Sequence, residues 1–238
     1  MTEQSLLYRR DYPIAKGISV VIPQVGEIID RESEYYTQVS ILTAMPIDYL
    51  LQLDEVGIKC TDINDYQLFL MLFESMRDMN TDLVFGDLDL NRFERYYHTE
   101  TGAPVLYDEG NDIVIDRVVY TKIASFLRKI HHLEKNNRKP VDEDMRQYLL
   151  ERARKKAERN RNRPRESQLE PLIIALVNTE QFKYGYEEAR ALSIYQFNES
   201  VRQILHKIDY DNKMHGIYAG TVDPKHLSQD DLNWLRHK

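Results

Sequence analysis

The sequence is poor in cysteine and in glycine. Its 238 residues include one cysteine, Cys60, so a single chain can build neither an internal disulfide nor a zinc site of several cysteines. With nine glycines, the chain contains no GxGxxG, GxxxxGK[ST] or GxSxG pattern. A phosphate-cradling loop is therefore not expected, and the cysteine usage fits a reducing, intracellular setting.

Long apolar runs are also missing. The run LIIALV at 172–177 is far too short to span a bilayer, and the first residues lack the apolar core of a signal peptide. We therefore expect a cytoplasmic protein without membrane contact. Hydrophobic residues make up 42% and charged residues 30%, with a formal net charge of -7. This balance is typical of a globular protein and gives no general affinity for nucleic acid.

Groups of potential catalytic or metal-binding residues do not have the required spacing. His131 and His132 are adjacent on a predicted helix and would point about 100° apart. The segment 206–215 lacks the acidic positions of a calcium loop, and the paired acids of GDLDL at 86–90 are interpreted as turn and cap residues. We interpret Cys60 as an unreactive thiol. These observations predict a protein that is not an enzyme and uses no metal or cofactor.

The apolar spacing predicts a mainly α protein with a small β-hairpin or meander, an α+β fold. A strand is predicted at 18–22, and the segment 23–30 reads as a second strand or a turn. Three short strands are predicted near 93–98, 104–107 and 112–115, followed by a helix that Asp116 caps. Ser193 is predicted to cap a long helix, and the Ser228–Asp231 spacing predicts a last short helix.

These elements suggest three units. Residues 1–135 form an N-terminal α+β unit with its meander near 93–115, and residues 167–238 form a C-terminal helical unit. A long basic helix at 141–166 links them.

The linking helix carries an unusual basic run. Its members are Arg152, Arg154, Lys155, Lys156, Arg159, Arg161, Arg163 and Arg165. Three acids interrupt the run, and Glu151 stands four residues before Lys155 in the orientation that favours an intrahelical pair. No aromatic residue follows Tyr148 to stack on bases. A solvated or inter-unit helix is favoured, a protein-facing surface comes second, and a nucleic-acid contact comes third.

A family resemblance runs through both ends of the chain. The segments YPIAKGISVVIPQVGEIID, ILTAMPIDYLLQLDEVGI and DYQLFLMLF, and later LEPLIIALVN and LNWL, resemble tail-morphogenesis proteins of phages and prophages of Gram-positive hosts. Within that group the chain is similar to tail assembly chaperones. This chain departs from the family by its length and by the β insert near 93–115.

The resemblance implies a non-enzymatic, mostly helical chaperone that binds the tape-measure protein or another tail protein. Its apolar contact residues would lie near the C-terminal end, at Tyr195, Phe197, Trp234 and Leu235, unless these are core residues. Two alternatives stay open: a self-associating structural subunit of the tail or head–tail region, and a nucleic-acid-binding protein that uses the basic run 152–165.

Overall fold

The computed structural model describes residues 5–161 and 166–235. Within these residues the protein is mainly helical with two small antiparallel sheets, which confirms the predicted α+β class. The strands are β1 (Asp11–Ala15), β2 (Ile18–Val21), β3 (Glu94–Tyr97), β4 (Pro104–Asp108) and β5 (Ile113–Ile115). The α-helices are α1 (Val25–Asp30), α2 (Glu32–Thr43), α3 (Leu50–Glu55), α4 (Asp65–Arg77), α5 (Asp82–Phe85), α6 (Arg117–His131), α7 (Glu143–Asn160), α8 (Leu169–Val177), α9 (Tyr186–Ala191) and α10 (Ile194–Tyr218). Short 3-10 helices lie at Leu6–Tyr8, Pro46–Tyr49, Leu90–Arg92 and Pro224–His226.

The N-terminal hairpin confirms the strand predicted at 18–22 and adds β1 as its antiparallel partner. The prediction of a strand or turn at 23–30 is wrong, because these residues form α1. Gln24 starts this helix: its backbone N–H donates to the Glu27 carboxylate at 2.6 Å. Gly26 serves close packing and not a turn, since a Cβ there would lie 3.3 Å from the backbone oxygen of Arg190.

The predicted three-stranded meander is confirmed, with strand order β3-β4-β5. Leu106 pairs with Ile115 across β4 and β5, and both side chains are buried on the inner face. Asp116 follows at once and caps α6 as predicted, because its carboxylate accepts the backbone N–H of Val119 at 2.8 Å.

One apolar core joins the sheets to helices from both ends of the chain. Its largest enclosed side chains include Tyr35 on α2, Phe73 on α4 and Tyr120 on α6. Ile194 and Phe197 of α10 belong to the same core. The predicted division into three units stays a prediction, but residues of the first and third units share this core.

The backbone also ties the two ends of the chain together. The N–H of Ile194 donates to the carbonyl of Pro23 at 2.8 Å, and the N–H of Val25 donates to the carbonyl of Leu192 at 2.9 Å. The start of α1 is therefore held directly against the start of α10.

The predicted linking helix corresponds to α7, which ends at Asn160; Arg161 follows in a turn, and residues 162–165 lie outside the described part of the chain. The helix packs on α3 over a second, smaller apolar cluster that contains Leu150 and Leu53. Within the described residues, no helix combines the length and the apolar character needed to cross a bilayer.

The last helix predicted near the C-terminus does not form within the described residues. Ser228 and Asp231 do make the reciprocal hydrogen bonds of a capping box, at 2.9 and 3.2 Å. These bonds close only a turn. Asp231 also forms an ion pair with Lys213 on α10. A segment this short does not offset the cost of nucleating a helix.

Candidate partner-binding surfaces

An apolar stripe runs along α10 and leaves the core halfway. Its members at helical spacing are Ile194, Phe197, Val201, Ile204, Leu205 and Ile208. Phe197 is fully buried, whereas Leu205 is 61% and Ile208 is 37% exposed. The first half of the stripe therefore stabilises the fold, and the second half presents apolar surface to solvent.

Two of the four predicted contact residues lie inside the protein. Tyr195 is 4% exposed and Phe197 is fully buried, because the first turns of α10 pack against α6. The side-chain amide of Asn198 donates to the carbonyl of Ile130 at 2.9 Å and fixes this contact. Tyr195 and Phe197 are thus core residues here, and the structure does not present them to a partner.

The other two predicted contact residues are on the surface. Trp234 is 50% and Leu235 is 48% exposed. The segment that carries them returns to α10: the amide of Gln203 donates to the carbonyl of Trp234 at 2.8 Å, and Nε2 of His206 donates to the carbonyl of Asn233 at 2.7 Å. Trp234 and Leu235 are therefore held beside the half of α10 that leaves the core.

A network of charges fixes the same segment farther along α10. The ammonium of Lys213 binds the carboxylates of Asp209 on α10 and Asp231 in the tail. The hydrogen bond that Lys213 donates to Asp209, followed by the one that it donates to Asp231, raises the pKa of Lys213. The Lys213 hydrogen bond in turn lowers the pKa of Asp231.

A second exposed apolar surface lies on α8. Ile173 and Leu176 are buried against the core, while Leu172 is 40% and Ile174 is 48% exposed. The start of this helix is held by α2, because the Glu32 carboxylate accepts the backbone N–H groups of Gln168 and Leu169 at 2.6 and 3.0 Å. The apolar run at 172–177 predicts a buried helix but not its exposed side, because spacing alone does not show how many sides are covered.

The described members of the basic run are all on the surface. Arg152, Arg154, Lys155, Lys156, Arg159 and Arg161 are exposed, whereas Arg163 and Arg165 lie outside the described residues. Arg154 donates to Asp54 of α3 at 3.2 Å. The intrahelical pair suggested by the spacing of Glu151 and Lys155 is not among the ion pairs of the described residues.

Two of the titratable residues singled out in the sequence, His131 and Cys60, pack against other side chains. Nε2 of His131 lies 2.8 Å from the Tyr35 hydroxyl. Cys60 borders a cavity of about 450 Å³ that also contains the Asp65–Lys135 ion pair. Burial raises the pKa of the Cys60 thiol, which favours the protonated and poorly nucleophilic form. Among the described residues, no three His, Cys, Asp or Glu side chains are placed to hold a metal ion together.

Comparison with known proteins gives a partial match. Residues 158–238 match the family model described as the YomV second domain. The matched segment includes α8, α9, α10 and the tail. No curated protein and no solved structure matches the chain significantly. The C-terminal part of the chain is therefore similar to the second domain of YomV, a Bacillus prophage protein, and the match fits a phage-associated protein.

Proposed function

We propose that this protein is a non-enzymatic tail assembly chaperone that binds the tape-measure protein through the exposed half of α10. The observation that carries the proposal is the apolar stripe that continues past the core at Leu205 and Ile208. Both residues lie in the segment that matches the YomV second domain.

The exposed stripe suits a helical partner. Tape-measure proteins are long helical chains with apolar stripes, and amphipathic helices bind through anchors spaced three and four residues apart. Leu205 and Ile208 have this spacing on α10, and Trp234 and Leu235 are held near the same half of that helix. A partner helix lying along α10 would cover its own apolar stripe and that of α10 at once.

The proposal is tested by co-expressing the full chain with the tape-measure protein of its phage and measuring how much is captured. We expect Leu205→Ser with Ile208→Ser to reduce capture about tenfold or more, corresponding to about 1.4 kcal/mol of binding free energy. Leu172→Ser with Ile174→Ser is the matched control, because it removes two apolar side chains of similar exposure from α8. This control should leave capture unchanged.

Three results would contradict the chaperone role. The first is failure of the wild-type protein to capture the tape-measure protein, and the second is an equal loss of capture in the α8 control and the α10 variant. Stoichiometric amounts of the chain in purified finished particles would favour a structural subunit instead.

A further inference from the structure

Helix α7 has two chemically different sides. Successive residues are about 100° apart around a helix axis, which places Arg146, Leu150 and Ala153 on one side. This side faces α3, where Leu150 is buried and Arg146 donates to Asp54 at 2.8 and 3.1 Å. Asp54 also accepts from Arg154. Asp54 is thus paired with two cations, Arg146 and Arg154, on the side of α7 that faces α3.

The opposite side forms a continuous basic face, which we define as Arg152, Lys155, Lys156 and Arg159. All four side chains are exposed, and none forms an ion pair with another described residue. The four residues cover two helical turns, or about 10 Å along the axis. Glu151 and Glu158 lie at one border of this face and not within it.

One aromatic residue begins the basic face. The guanidinium of Arg152 lies 5.7 Å from the ring centroid of Tyr148, which is 55% exposed. This contact holds Arg152 along the helix and covers one side of the ring. From Tyr148 towards the end of α7, the basic face has no large apolar side chain.

We propose that the basic face of α7 binds the phosphate backbone of double-stranded nucleic acid without reading its sequence. Phosphate contacts need only correctly placed cations, and the basic face offers four of them without a competing acid between them. A protein interface would need an apolar centre, which this face lacks. One partly covered tyrosine does not make a stacking platform for single strands.

This site is separate from the chaperone surface on α10 and does not depend on that function. The sequence favours nucleic acid least, because acids interrupt the basic run along the chain and no aromatic residue follows Tyr148. In the structure, Glu151 and Glu158 lie at one border of the basic face and not between its four cations. The chain's net charge of -7 opposes binding elsewhere, so attachment is expected through this face and to depend steeply on salt.

The test is fluorescence anisotropy of the full chain with a labelled 20-base-pair duplex of mixed sequence, at 50 to 200 mM salt. Four phosphate contacts give a slope of log K against log salt of about -3.6, a loss in affinity of about 150-fold over this range. We expect Arg152→Gln, Lys155→Gln, Lys156→Gln and Arg159→Gln together to abolish binding at 50 mM. An unrelated duplex sequence should bind equally well.

The matched control changes the net charge by the same amount elsewhere. Arg117, Lys122, Lys129 and Lys183 are also exposed, and their combined replacement by Gln should preserve binding. Equal loss in this control would mean that overall charge decides binding, and would overturn the proposal. Absence of binding by wild-type protein at 50 mM would do the same.

Two further readouts separate the competing partners. If polyglutamate binds the basic face and the duplex does not, the partner is an acidic protein. If the chain self-associates at low salt through these four residues without binding duplex, the partner is a second copy. Either result rejects the nucleic-acid proposal. Circular dichroism of each variant should show the helix content of the wild-type protein.

Discussion

At the scale of single residues, His131 shows how the fold sets a protonation state. Its ring contacts the rings of Tyr35 and Tyr36. Burial, followed by the nearby His132, lowers the pKa of His131 from 6.5 to about 4. The folded protein therefore keeps this imidazole neutral at pH values where the unfolded chain protonates it.

This difference makes the free energy of unfolding depend on pH. The contribution is complete above about pH 6.5 and is lost as pH falls to about 4, because only the unfolded chain gains the proton in that interval. This difference between the pKa of His131 in the unfolded and folded chain corresponds to at most about 3 kcal/mol of unfolding free energy. We expect His131→Gln, which retains a polar group facing Tyr35, to flatten the dependence measured by urea unfolding at pH 7.0, 5.5 and 4.5.

His226→Gln is the control for this measurement, since His226 is exposed near the tail. It should leave the slope between pH 7.0 and 4.5 as in wild type. An unchanged slope in His131→Gln would show that other groups dominate acid destabilisation.

At the scale of elements, α8 depends on a cap supplied by another helix. Ser167 accepts the N–H of Glu170 at 2.9 Å, but the N–H groups of Gln168 and Leu169 donate to Glu32 of α2. A carboxylate at a helix start also interacts favourably with the helix dipole. The angle at which α8 presents its exposed apolar side is therefore set partly by α2.

We expect Glu32→Ala to lower the free energy of unfolding by about 1 kcal/mol, the usual cost of a lost N-cap. Amide hydrogen exchange should become faster at Gln168 and Leu169 first, because their acceptor is removed. Glu180→Ala, an exposed acid beyond the end of α8, should change neither quantity. If the amides of Gln168 and Leu169 exchange as slowly in Glu32→Ala as in wild type, water replaces the carboxylate cap without loss of stability.

Elements with local signals could be predicted from the sequence. The meander, α6 and α10 were predicted because turn residues or caps such as Asp116 and Ser193 mark their ends. The short elements β1 and α1 were missed, since tertiary contacts to β2 and to residues 190–194 decide them. The long helix α10 is predictable, but the spacing of its apolar residues does not reveal which end is covered. The sequence therefore does not show that Tyr195 and Phe197 are core residues.

At the scale of the whole molecule, the shared core couples the two ends of the chain. Removing a large aromatic side chain from such a core costs about 3–5 kcal/mol. We expect Phe197→Ala to lower the free energy of unfolding by this amount, and to weaken hydrogen-exchange protection in β2 and α6 as well as in α10. The reason is that all three elements contribute to one apolar cluster.

Leu205→Ala is the matched control on the same stripe, where exposure should limit the change to about 0.5 kcal/mol. Loss of protection confined to α10 in Phe197→Ala would indicate that the N-terminal and C-terminal units unfold separately.

The hydrogen bonds that join α1 to the start of α10 also have a consequence for biosynthesis. The side-chain amide of Gln24 donates to the carbonyl of Ala191, a separation of 167 residues. At roughly 5 to 20 residues per second, the ribosome needs about 8 to 33 s to make the intervening chain. During that interval the nascent N-terminal segment has an incomplete core and exposed apolar surface. Translation speed and early chaperone contact should therefore affect the yield of this protein more than they would if its core closed locally.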